Sequence, residues 1–258
     1  MKISIVTPSF NQGKYIDQTI KSVLHQRGDF ELEYIIIDGK STDNTLDIIK
    51  KHANRDNRLK WISEPDTGQS EAINKGLRIA TGEIIGWLNS DDIYQPGCLK
   101  LVVEKFREKQ EINWITGYCN IINEKNEVIR KFITKYKNIW LKYYYFNNLL
   151  ILNFISQPAT FWRKKIVSDV GYLSEHQHLS MDYEYWLKIG CKNLLHVIPS
   201  YLADFRVSQD NKSSMNFKKQ LKEEYQIANN FIKNKWWLRY FHWIHFNLII
   251  FIYNFIIQ

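Results

Sequence analysis

Apolar residues in the first hundred positions form four short continuous runs, and the stretches between these runs repeat apolar residues at helical spacing. Continuous apolar runs are typical of strands that are buried on both faces, and their alternation with helices is typical of a mainly parallel sheet. The predicted strands are 3–8, 34–38, 59–63 and 84–88, and the predicted helices are 13–25, 42–52 and 69–80. This part of the chain therefore predicts an α/β fold with helices on both faces of the sheet.

Beyond Pro96 the pattern is less regular, although strands and helices still alternate. It predicts strands at 113–119, 127–132, 159–162 and 201–207, and helices at 99–109, 139–154, 181–190 and 217–234. No internal repeat and no low-complexity linker interrupts the chain. We therefore expect both halves to contribute to the same domain.

The chain from Trp236 onwards has few charges, and its first half is dominated by aromatic residues. An apolar run to Ile257 follows and is broken by Asn254, so the uninterrupted stretch falls short of the roughly 20 residues that span a bilayer. Aromatic residues beside Lys and Arg favour a helix that lies in the headgroup region of a membrane. Packing on the domain or in a homodimer is the alternative.

Positive charge is concentrated in part of the sequence. The net charge is +8, and residues 128–168 contain eight Lys or Arg and no Asp or Glu. Such a surface attracts nucleic acid, anionic lipid or phosphorylated substrates. No nucleic-acid-binding motif is present, so we expect lipid or diphosphate as the partner rather than nucleic acid.

The three cysteines are widely spaced, and their number is odd. They match neither a metal site nor a disulfide framework, which favours a reducing compartment. The N-terminus runs directly into a strand pattern, with no secretory signal. We therefore expect a cytoplasmic protein.

The sequence Asn89-Ser90-Asp91-Asp92 follows the fourth predicted strand directly. Hard cations such as Mg²⁺ and Mn²⁺ prefer oxygen ligands and share them with substrate phosphates, and ligands of open α/β sheets bind beyond the carboxyl ends of strands. The pattern therefore predicts a site for a metal and a phosphate. The alternative is that these side chains only cap a turn or a helix.

Polar residues also follow the first two strands, with Thr7, Pro8, Ser9 and Asn11 after the first and Asp38 after the second. We expect them at the same edge of the sheet as the carboxylates after the fourth strand. Asp38 could accept a hydrogen bond from a nucleobase or a ribose hydroxyl, or it could cap the next helix.

These segments, in this order and spacing, resemble glycosyltransferase family 2, which has the GT-A fold. The resemblance is strong over residues 1–100, is weaker to about residue 210 and does not include the tail. The motifs that resemble the family lie at 7–11, 34–45, 64–69, 74–83 and 88–92.

The resemblance implies a Rossmann-like, mostly parallel sheet flanked by helices, to which this chain adds an aromatic-rich helical extension. It also implies inverting transfer of a sugar from a nucleotide diphosphate donor, most simply a UDP-sugar, with Mn²⁺ or Mg²⁺ as cofactor. Residues 1–100 would form the half that binds the nucleotide-sugar, residues 101–211 the half that binds the acceptor, and residues 212–258 the tail.

By the same resemblance Asp38 would contact the base, Asp91 the ribose and Asp92 the metal ion. Lys75 would neutralise phosphate, or it would be an ordinary solvated lysine. The donor-binding residues that the resemblance implies are Thr7, Pro8, Ser9, Asn11, Asp38, Asn74, Lys75, Asn89 and Asp91.

On the acceptor side, Asp182 matches the acidic motif of the family and would be the general base, with Glu184 as its rival. Gln157 would hydrogen-bond the acceptor, and Trp162 would stack on a sugar; either residue could instead be structural. Many relatives have a histidine after the arginine of the last strand, but here Val207 follows Arg206. A third metal ligand is therefore in question, and the histidines at 176 and 178 are the candidates for recruitment.

These observations predict a metal-dependent inverting glycosyltransferase at the inner face of a membrane, with a lipid-linked or surface-glycan acceptor. A sugar nucleotidyltransferase is one alternative, although it would need a Gly-rich loop with arginine after the first strand. A non-catalytic protein that binds nucleotide-sugars is the other.

Overall fold

The computed structural model describes residues 1–176, 179–208, 216–232 and 235–256. Within them nine strands form one sheet. The strands are β1 (Lys2–Ser9), β2 (Glu31–Asp38), β3 (Leu59–Ser63), β4 (Ile84–Trp87), β5 (Ile93–Tyr94), β6 (Trp114–Ile122), β7 (Val128–Ile129), β8 (Thr160–Arg163) and β9 (Leu195–Arg206). The helices are α1 (Ile16–Leu24), α2 (Thr45–Ala53), α3 (Gln69–Ile79), α4 (Cys98–Glu108), α5 (Lys131–Lys142), α6 (Phe146–Leu149), α7 (Lys165–Val170), α8 (Met181–Gly190), α9 (Phe217–Phe231) and α10 (Trp236–Ile256).

The strand order is β3-β2-β1-β4-β8-β6-β9-β5, and β7 pairs with β6. The first four strands of this order are mutually parallel. β8 runs antiparallel to β4 and to β6, whereas β9 is parallel to β6. The carboxyl ends of β1, β2, β4, β6 and β9 therefore all point to one edge of the sheet. The predicted α/β class and its parallel half are confirmed.

The strands are buried on both faces because their alternate residues enter two different cores. In β1, Ile3 and Ile5 pack on the α1 and α4 side, whereas Val6 packs on the α3 and α8 side. In β2, Ile36 faces the first core and Ile37 the second. This two-sided burial explains why the sequence shows continuous apolar runs rather than alternation.

Glycine allows α3 to approach β1 closely. A Cβ on Gly76 would lie 2.4 Å from Cγ1 of Val6, closer than two carbon atoms can approach. The close approach seats the helix on the strand whose end forms part of the candidate site.

The middle of the chain differs most from the prediction. Instead of a strand at 127–132, β7 has only two residues, because Arg130 takes a left-handed backbone with φ 51° and ends it. Instead of one helix at 139–154, α5 begins at Lys131 and the short helix α6 follows it. Aromatic residues are frequent in this segment, and they do not mark the helical face that is buried.

The helix α10 packs on the domain along one side only. Leu238 is fully buried, and Nδ1 of His242 lies in hydrogen-bonding contact with the carbonyl of Leu150. The other side is exposed, with Trp236 77% and Trp243 53% accessible. Within the parts of the chain that the structure describes, no helix has both the length and the hydropathy to cross a bilayer.

A buried carboxylate joins β1, β2 and β3 to the start of β4. Glu33 accepts hydrogen bonds from Oγ of Ser4 at 2.6 Å and from the amide of Thr81 at 2.7 Å, and it pairs with Nζ of Lys60 at 2.9 Å. Burial alone would raise the pKa of Glu33, but these bonds outweigh burial and lower its pKa to about 2. The ionised carboxylate is therefore the form that stabilises the fold.

Replacing Glu33 by Gln should lower the free energy of unfolding by about 2 kcal/mol at pH 7, because a charge-assisted network is lost. The loss should shrink as pH falls through 4.5 towards 2, since a lowered carboxyl pKa stabilises only above the pKa of the unfolded state. Urea denaturation at pH 7 and pH 3 measures both effects. The control Glu31→Gln, on the exposed neighbour, should change little; an equal loss at both pH values would contradict the account.

Candidate functional site

The carboxyl ends of the parallel strands meet at one edge of the sheet, as the sequence predicts. Ser9 is paired in register with Asp38, and Asp38 with Ser63. On the other side of β1, Val6 is paired with Trp87, two residues before Asn89. The loops that follow these strands therefore open onto one surface, where ligands of open α/β sheets bind.

The end of β1 contributes a buried hydroxyl group. Thr7 and Pro8 are buried, and Oγ1 of Thr7 accepts a hydrogen bond from the hydroxyl of Tyr34 at 3.2 Å. Ser9 is 4% exposed, and its Oγ has no hydrogen-bond partner among the described residues. Because an unpaired buried hydroxyl is costly, Ser9 indicates a position where a polar ligand atom would be stabilised.

Asn11 joins the loop after β1 to the loop after β2. Its backbone is left-handed, with φ 51°, and its amide donates to Oγ of Ser41 at 2.8 Å. Its side-chain oxygen accepts a hydrogen bond from the amide of Thr42 at 2.8 Å. Asn11 therefore fixes the shape of this edge of the predicted donor site.

The carboxylate of Asp38 is buried and hydrogen-bonded within the fold. It accepts from Oγ of Ser41 at 2.5 Å, from the amide of Ser41 at 2.9 Å and from Oγ of Ser63 at 2.7 Å. These bonds tie Asp38 to the loop before α2 and to β3, whereas α2 begins at Thr45 with no side-chain cap. Asp38 holds the loop after β2 against β3, and its oxygens are already engaged.

A second carboxylate at this edge, Asp66, was missed by the sequence reasoning. A Cβ on Gly39 would lie 2.7 Å from Oδ2 of Asp66, so this acid occupies the space that a side chain at position 39 would need. Oδ1 of Asp66 accepts from the amide of Gly68 at 3.0 Å, and the residue is partly exposed. Asp66 lies in the motif at 64–69 that resembles the family, and this position was the signal that could have identified it.

Asn74 and Lys75 are both engaged in contacts within the protein. The side-chain amide of Asn74 donates to the carbonyl of Leu173 at 2.9 Å and to Oε1 of Glu175 at 3.0 Å, and its oxygen accepts from the amide of Leu173 at 3.0 Å. The buried side chain therefore anchors the loop before α8. This contradicts the predicted donor contact through its amide.

The ammonium group of Lys75 is surrounded by acceptors. It lies 2.9 Å from Oε1 of Glu64, 2.9 Å from Oε1 of Glu71 and 3.1 Å from the carbonyl of Pro65. Two carboxylates already balance its charge, so the structure gives no support to the predicted neutralisation of phosphate.

Asn89 is the centre of a side-chain network at the end of β4. Its oxygen accepts from Nε2 of Gln69 at 2.7 Å and from Nε1 of Trp87 at 2.8 Å, and its amide donates to Oε1 of Gln157 at 3.0 Å and to Oδ2 of Asp92 at 3.3 Å. Nε2 of Gln157 donates in turn to the carbonyl of Trp87. Gln157 is thus a buried support of Asn89, which corrects its predicted role as an open contact to the acceptor.

The two adjacent carboxylates differ sharply in accessibility. Asp92 has no exposed surface, and its Oδ1 accepts from the amide of Arg206 at 2.9 Å. Burial, and then the negative charge of Asp91, raise the pKa of Asp92 well above its usual value. Asp91 is partly exposed at the site edge. The burial of Asp92 argues against its predicted role as the metal ligand, and Asp91 is the more accessible of the two carboxylates.

Arg206 is a buried cation whose contribution the sequence reasoning did not recognise. Its guanidinium donates to the carbonyl of Asp91 at 2.8 Å, to the carbonyl of Asn123 at 3.0 Å and to Oε1 of Gln18 at 3.1 Å. It also lies over the ring of Tyr15 at 4.8 Å. One side chain thus holds the ends of β4, β6 and β9 together.

The candidate third metal ligands find no support. Within the described residues no group of three or more His, Cys, Asp or Glu side chains is placed to hold a metal ion. His176 is exposed, and residue 178 lies outside the described residues. A cation at Asp91 would therefore take most of its ligands from the substrate.

The predicted base, Asp182, lies in the first turn of α8, directly after Met181. Oγ of Ser70 donates to Sδ of Met181 at 2.7 Å, and the residue before Ser70 is Gln69, which bonds Asn89. Burial raises the pKa of Asp182, although its bond from the amide of Tyr183 and the charge of Lys137 oppose the rise. A raised pKa brings a carboxylate closer to the working range of a general base.

Glu184, the alternative candidate for the general base, has a different partner. Glu184 pairs with Nζ of Lys188 at 2.9 Å, one helical turn further along α8. This salt bridge favours Asp182 as the residue on the site side of the helix.

Trp162 does not reach the surface. It is fully buried on β8, with its ring centroid 5.6 Å from Tyr185 and 5.6 Å from Trp186. The indole therefore belongs to the second core, and this burial contradicts the predicted stacking on a sugar.

Comparison with known protein families gives one match over most of the chain. The model of the family described as Glycosyl transferase family 2 matches residues 4–171. An uncharacterized glycosyltransferase, MJ1057 of Methanocaldococcus jannaschii, is 26% identical over 237 residues, which is 90% of this chain and 80% of that protein. The Escherichia coli protein named UDP-Glc:alpha-D-GlcNAc-diphosphoundecaprenol beta-1,3-glucosyltransferase WfgD is 29% identical over 236 residues, covering 90% of this chain and 87% of WfgD.

Solved structures show the same fold. S. aureus TarS 1-349 in complex with UDP-GlcNAc superposes with a TM-score of 0.67 at 18% identity, covering 88% of this chain and 66% of TarS 1-349. The mannosyltransferase PcManGT of Pyrobaculum calidifontis, solved with GDP-Man and Mn²⁺, superposes with a TM-score of 0.69 at 16% identity, covering 88% of this chain and 64% of PcManGT. Both likenesses support the architecture of a curled central sheet between helices.

Replacing Arg206 by Lys should lower the free energy of unfolding by about 3 kcal/mol, because an ammonium group cannot satisfy three separated acceptors in a buried site. Chemical denaturation of the purified protein measures the change. The matched substitution Arg107→Lys, on a surface arginine that pairs with Asp29, should leave stability nearly unchanged. Equal stabilities of the two variants would show that Arg206 does not hold the strand ends together.

Proposed function

Because this chain belongs to glycosyl transferase family 2, we propose that it transfers a sugar from a nucleoside diphosphate donor, a UDP-sugar, to an acceptor hydroxyl with inversion at the anomeric carbon. The observation that supports this most directly is that Asp182 begins α8 directly after Met181, whose Sδ accepts from Ser70, while the adjacent Gln69 bonds Asn89 at the end of β4. A base on one side and a phosphate-binding edge on the other are what a single displacement requires.

The donor nucleotide would lie across the ends of β1, β2 and β3. Ser9 offers an unpaired buried hydroxyl there, and Asp66 adds a carboxylate over Gly39 that can accept from base or ribose. Asp38 and Asn11 shape the loops around them. TarS in complex with UDP-GlcNAc and PcManGT in complex with GDP-Man support a nucleotide-sugar as the donor class.

Asp91 would hold the Mn²⁺ or Mg²⁺ ion. Magnesium is commonly bound by one or two carboxylates together with substrate phosphates, so the partly exposed carboxylate of Asp91 fits this arrangement. Burial raises the pKa of the adjacent Asp92, and the negative charge of Asp91 adds to the rise, which a cation at Asp91 would oppose. When bound, the ion would neutralise charge that develops on the departing diphosphate.

Asp182 would take the proton from the acceptor hydroxyl. As the proton leaves, the hydroxyl oxygen forms a bond to the anomeric carbon. The bond from that carbon to the donor phosphate oxygen breaks at the same time, and the nucleoside diphosphate departs with its electron pair. One displacement from the opposite face inverts the anomeric configuration, and Asp182 ends protonated.

The acceptor would be a lipid-linked or surface-glycan precursor at the inner face of a membrane. The name of WfgD describes a lipid-linked acceptor, and that protein is similar over nine tenths of this chain. The outer side of α10 displays Trp236, Tyr240 and Trp243 at helical spacing, all more than half exposed. Interfacial aromatic residues of this kind anchor a helix at a membrane surface, although a homodimer could cover the same side.

The variant Asp182→Asn should reduce kcat by at least about 100-fold with little change in donor binding, because only the proton acceptor is removed. Turnover of a donor panel and nucleotide titration by calorimetry measure the two quantities. Glu184→Gln is the matched control and should retain activity. If Glu184→Gln were inactive and Asp182→Asn active, the assignment of the base would be reversed.

The variant Asp91→Asn should bind Mn²⁺ more weakly. The metal concentration needed for half-maximal turnover should therefore rise at least tenfold. The physical reason is the loss of the ionised ligand. Manganese titrations of wild type and variant, with a chelator blank, provide the measurement. Unchanged metal dependence would remove Asp91 from the metal site.

Replacing Trp236, Tyr240 and Trp243 together by Ser should weaken binding to vesicles of anionic and neutral phospholipid at least tenfold, because the interfacial aromatic surface is lost. Vesicle flotation measures binding, and circular dichroism checks that the helices remain. Unchanged binding, or a shift from dimer to monomer in ultracentrifugation, would contradict the membrane assignment.

A further inference from the structure

A groove of about 430 Å³ lies between α5 and the strands β6 and β9. The predicted site residues do not line it. Its lining combines lysine side chains from α5 with aromatic and amide side chains from the strands. The residues that line this acceptor-side groove are Tyr118, Asn120, Val128, Lys131, Thr134, Lys135, Asn138, Ile139, Lys142 and Tyr201.

The charge of the groove is positive and uncompensated. Lys131, Lys135 and Lys142 fall on one stripe of α5, since positions four and seven residues apart share a face of a helix. None of the three forms a salt bridge in the described part of the chain, whereas Lys75 and Lys60 both pair with carboxylates. Three cations around one concave surface attract a multiply charged anion.

Part of the groove surface is aromatic. The rings of Tyr118 and Tyr201 meet edge to face, with centroids 5.6 Å apart. Beside the lysine stripe is an exposed aromatic stripe, formed by Phe132 on α5, 82% exposed, and by Tyr143 directly after the helix, 59% exposed. A ligand that suits both surfaces has an anionic group joined to a hydrocarbon chain.

The groove lies close to the reacting edge of the sheet. Asn120 donates to Oδ1 of Asp204 at 2.8 Å, and the register pairs these two residues. Arg206, whose amide donates to Asp92, lies two residues further along β9 than Asp204. The distance from Asp204 to Arg206 along the strand is therefore about 7 Å.

We propose that this groove binds the diphosphate of a lipid-linked acceptor, with Lys131, Lys135 and Lys142 on the phosphate oxygens and the exposed aromatic stripe against the lipid chain. The inference rests on the proposed function and deepens it, because it defines the acceptor as a sugar diphosphate lipid. The acceptor sugar would then extend from the groove along β9 towards Arg206 and the loop of Asp91.

The test compares two acceptors that carry the same sugar, one on a lipid diphosphate and one on an uncharged alkyl chain, in neutral detergent micelles. Replacing Lys131, Lys135 and Lys142 together by Gln should raise KM for the diphosphate acceptor at least tenfold. Transfer to the uncharged acceptor should stay within twofold. The matched control changes Lys51, Lys100 and Lys109 to Gln, which removes the same charge elsewhere and should affect neither acceptor.

An equal loss with both acceptors, or an equal loss in the control variant, would overturn the proposal. So would unchanged kinetics combined with weaker flotation on anionic vesicles, since the lysines would then bind bulk phospholipid. Direct calorimetric titration with farnesyl diphosphate, at constant ionic strength, supplies a readout that needs no turnover. If no acceptor were glycosylated but the lysine variant alone lost affinity for farnesyl diphosphate, the proposed function would fail while the groove assignment stood.

Discussion

The buried carboxylate of Asp92 is the contact on which the geometry of the site depends. One of its oxygens accepts the backbone amide of Arg206 on β9, and the other accepts the side chain of Asn89 after β4. These two bonds join the parallel half of the sheet to the half that leads to the acceptor side. The guanidinium of Arg206 strengthens the same junction by donating to the carbonyl of Asp91. Burying a carboxylate is costly, and the raised pKa of Asp92 indicates that the amides and the cation from distant parts of the chain offset this cost only in part.

Sequence patterns identified the strand ends because continuous apolar runs and the polar residues after them depend on local composition. They could not distinguish Asp91 from Asp92, since adjacent residues turn to opposite sides and the partners of Asp92 come from Arg206, more than a hundred positions away. The same holds for Asn74, which is engaged by Leu173, and for Trp162, whose burial depends on α8. The helix α5 was misplaced because its buried positions include Thr134 and exclude Phe132, which reverses the usual relation between polarity and burial.

The C-terminal helices are joined by hydrogen bonds to the segment that leads into α8. Oε1 of Glu223 on α9 accepts from the amides of Leu179 and Ser180, which precede α8 and its Asp182. The helix that presents an aromatic surface to solvent, α10, packs on α9 through the ring of Tyr225 against His242. The surface that we assign to the membrane is thus linked to the proposed base by two contacts, α10 on α9 and α9 on the segment before α8. In this proposal, membrane attachment and acceptor entry use the same group of helices.

Gly39 and Asp66 lie in different segments yet share one volume. Any side chain at position 39 would have to displace the carboxylate of Asp66, because a Cβ there already meets it at 2.7 Å. A side chain at position 39 and the carboxylate of Asp66 in its present place therefore exclude each other. Substitutions at positions 39 and 66 are therefore expected to depend on each other. A library that varied them independently would return linked pairs, in which a small residue at one position accompanies a carboxylate at the other.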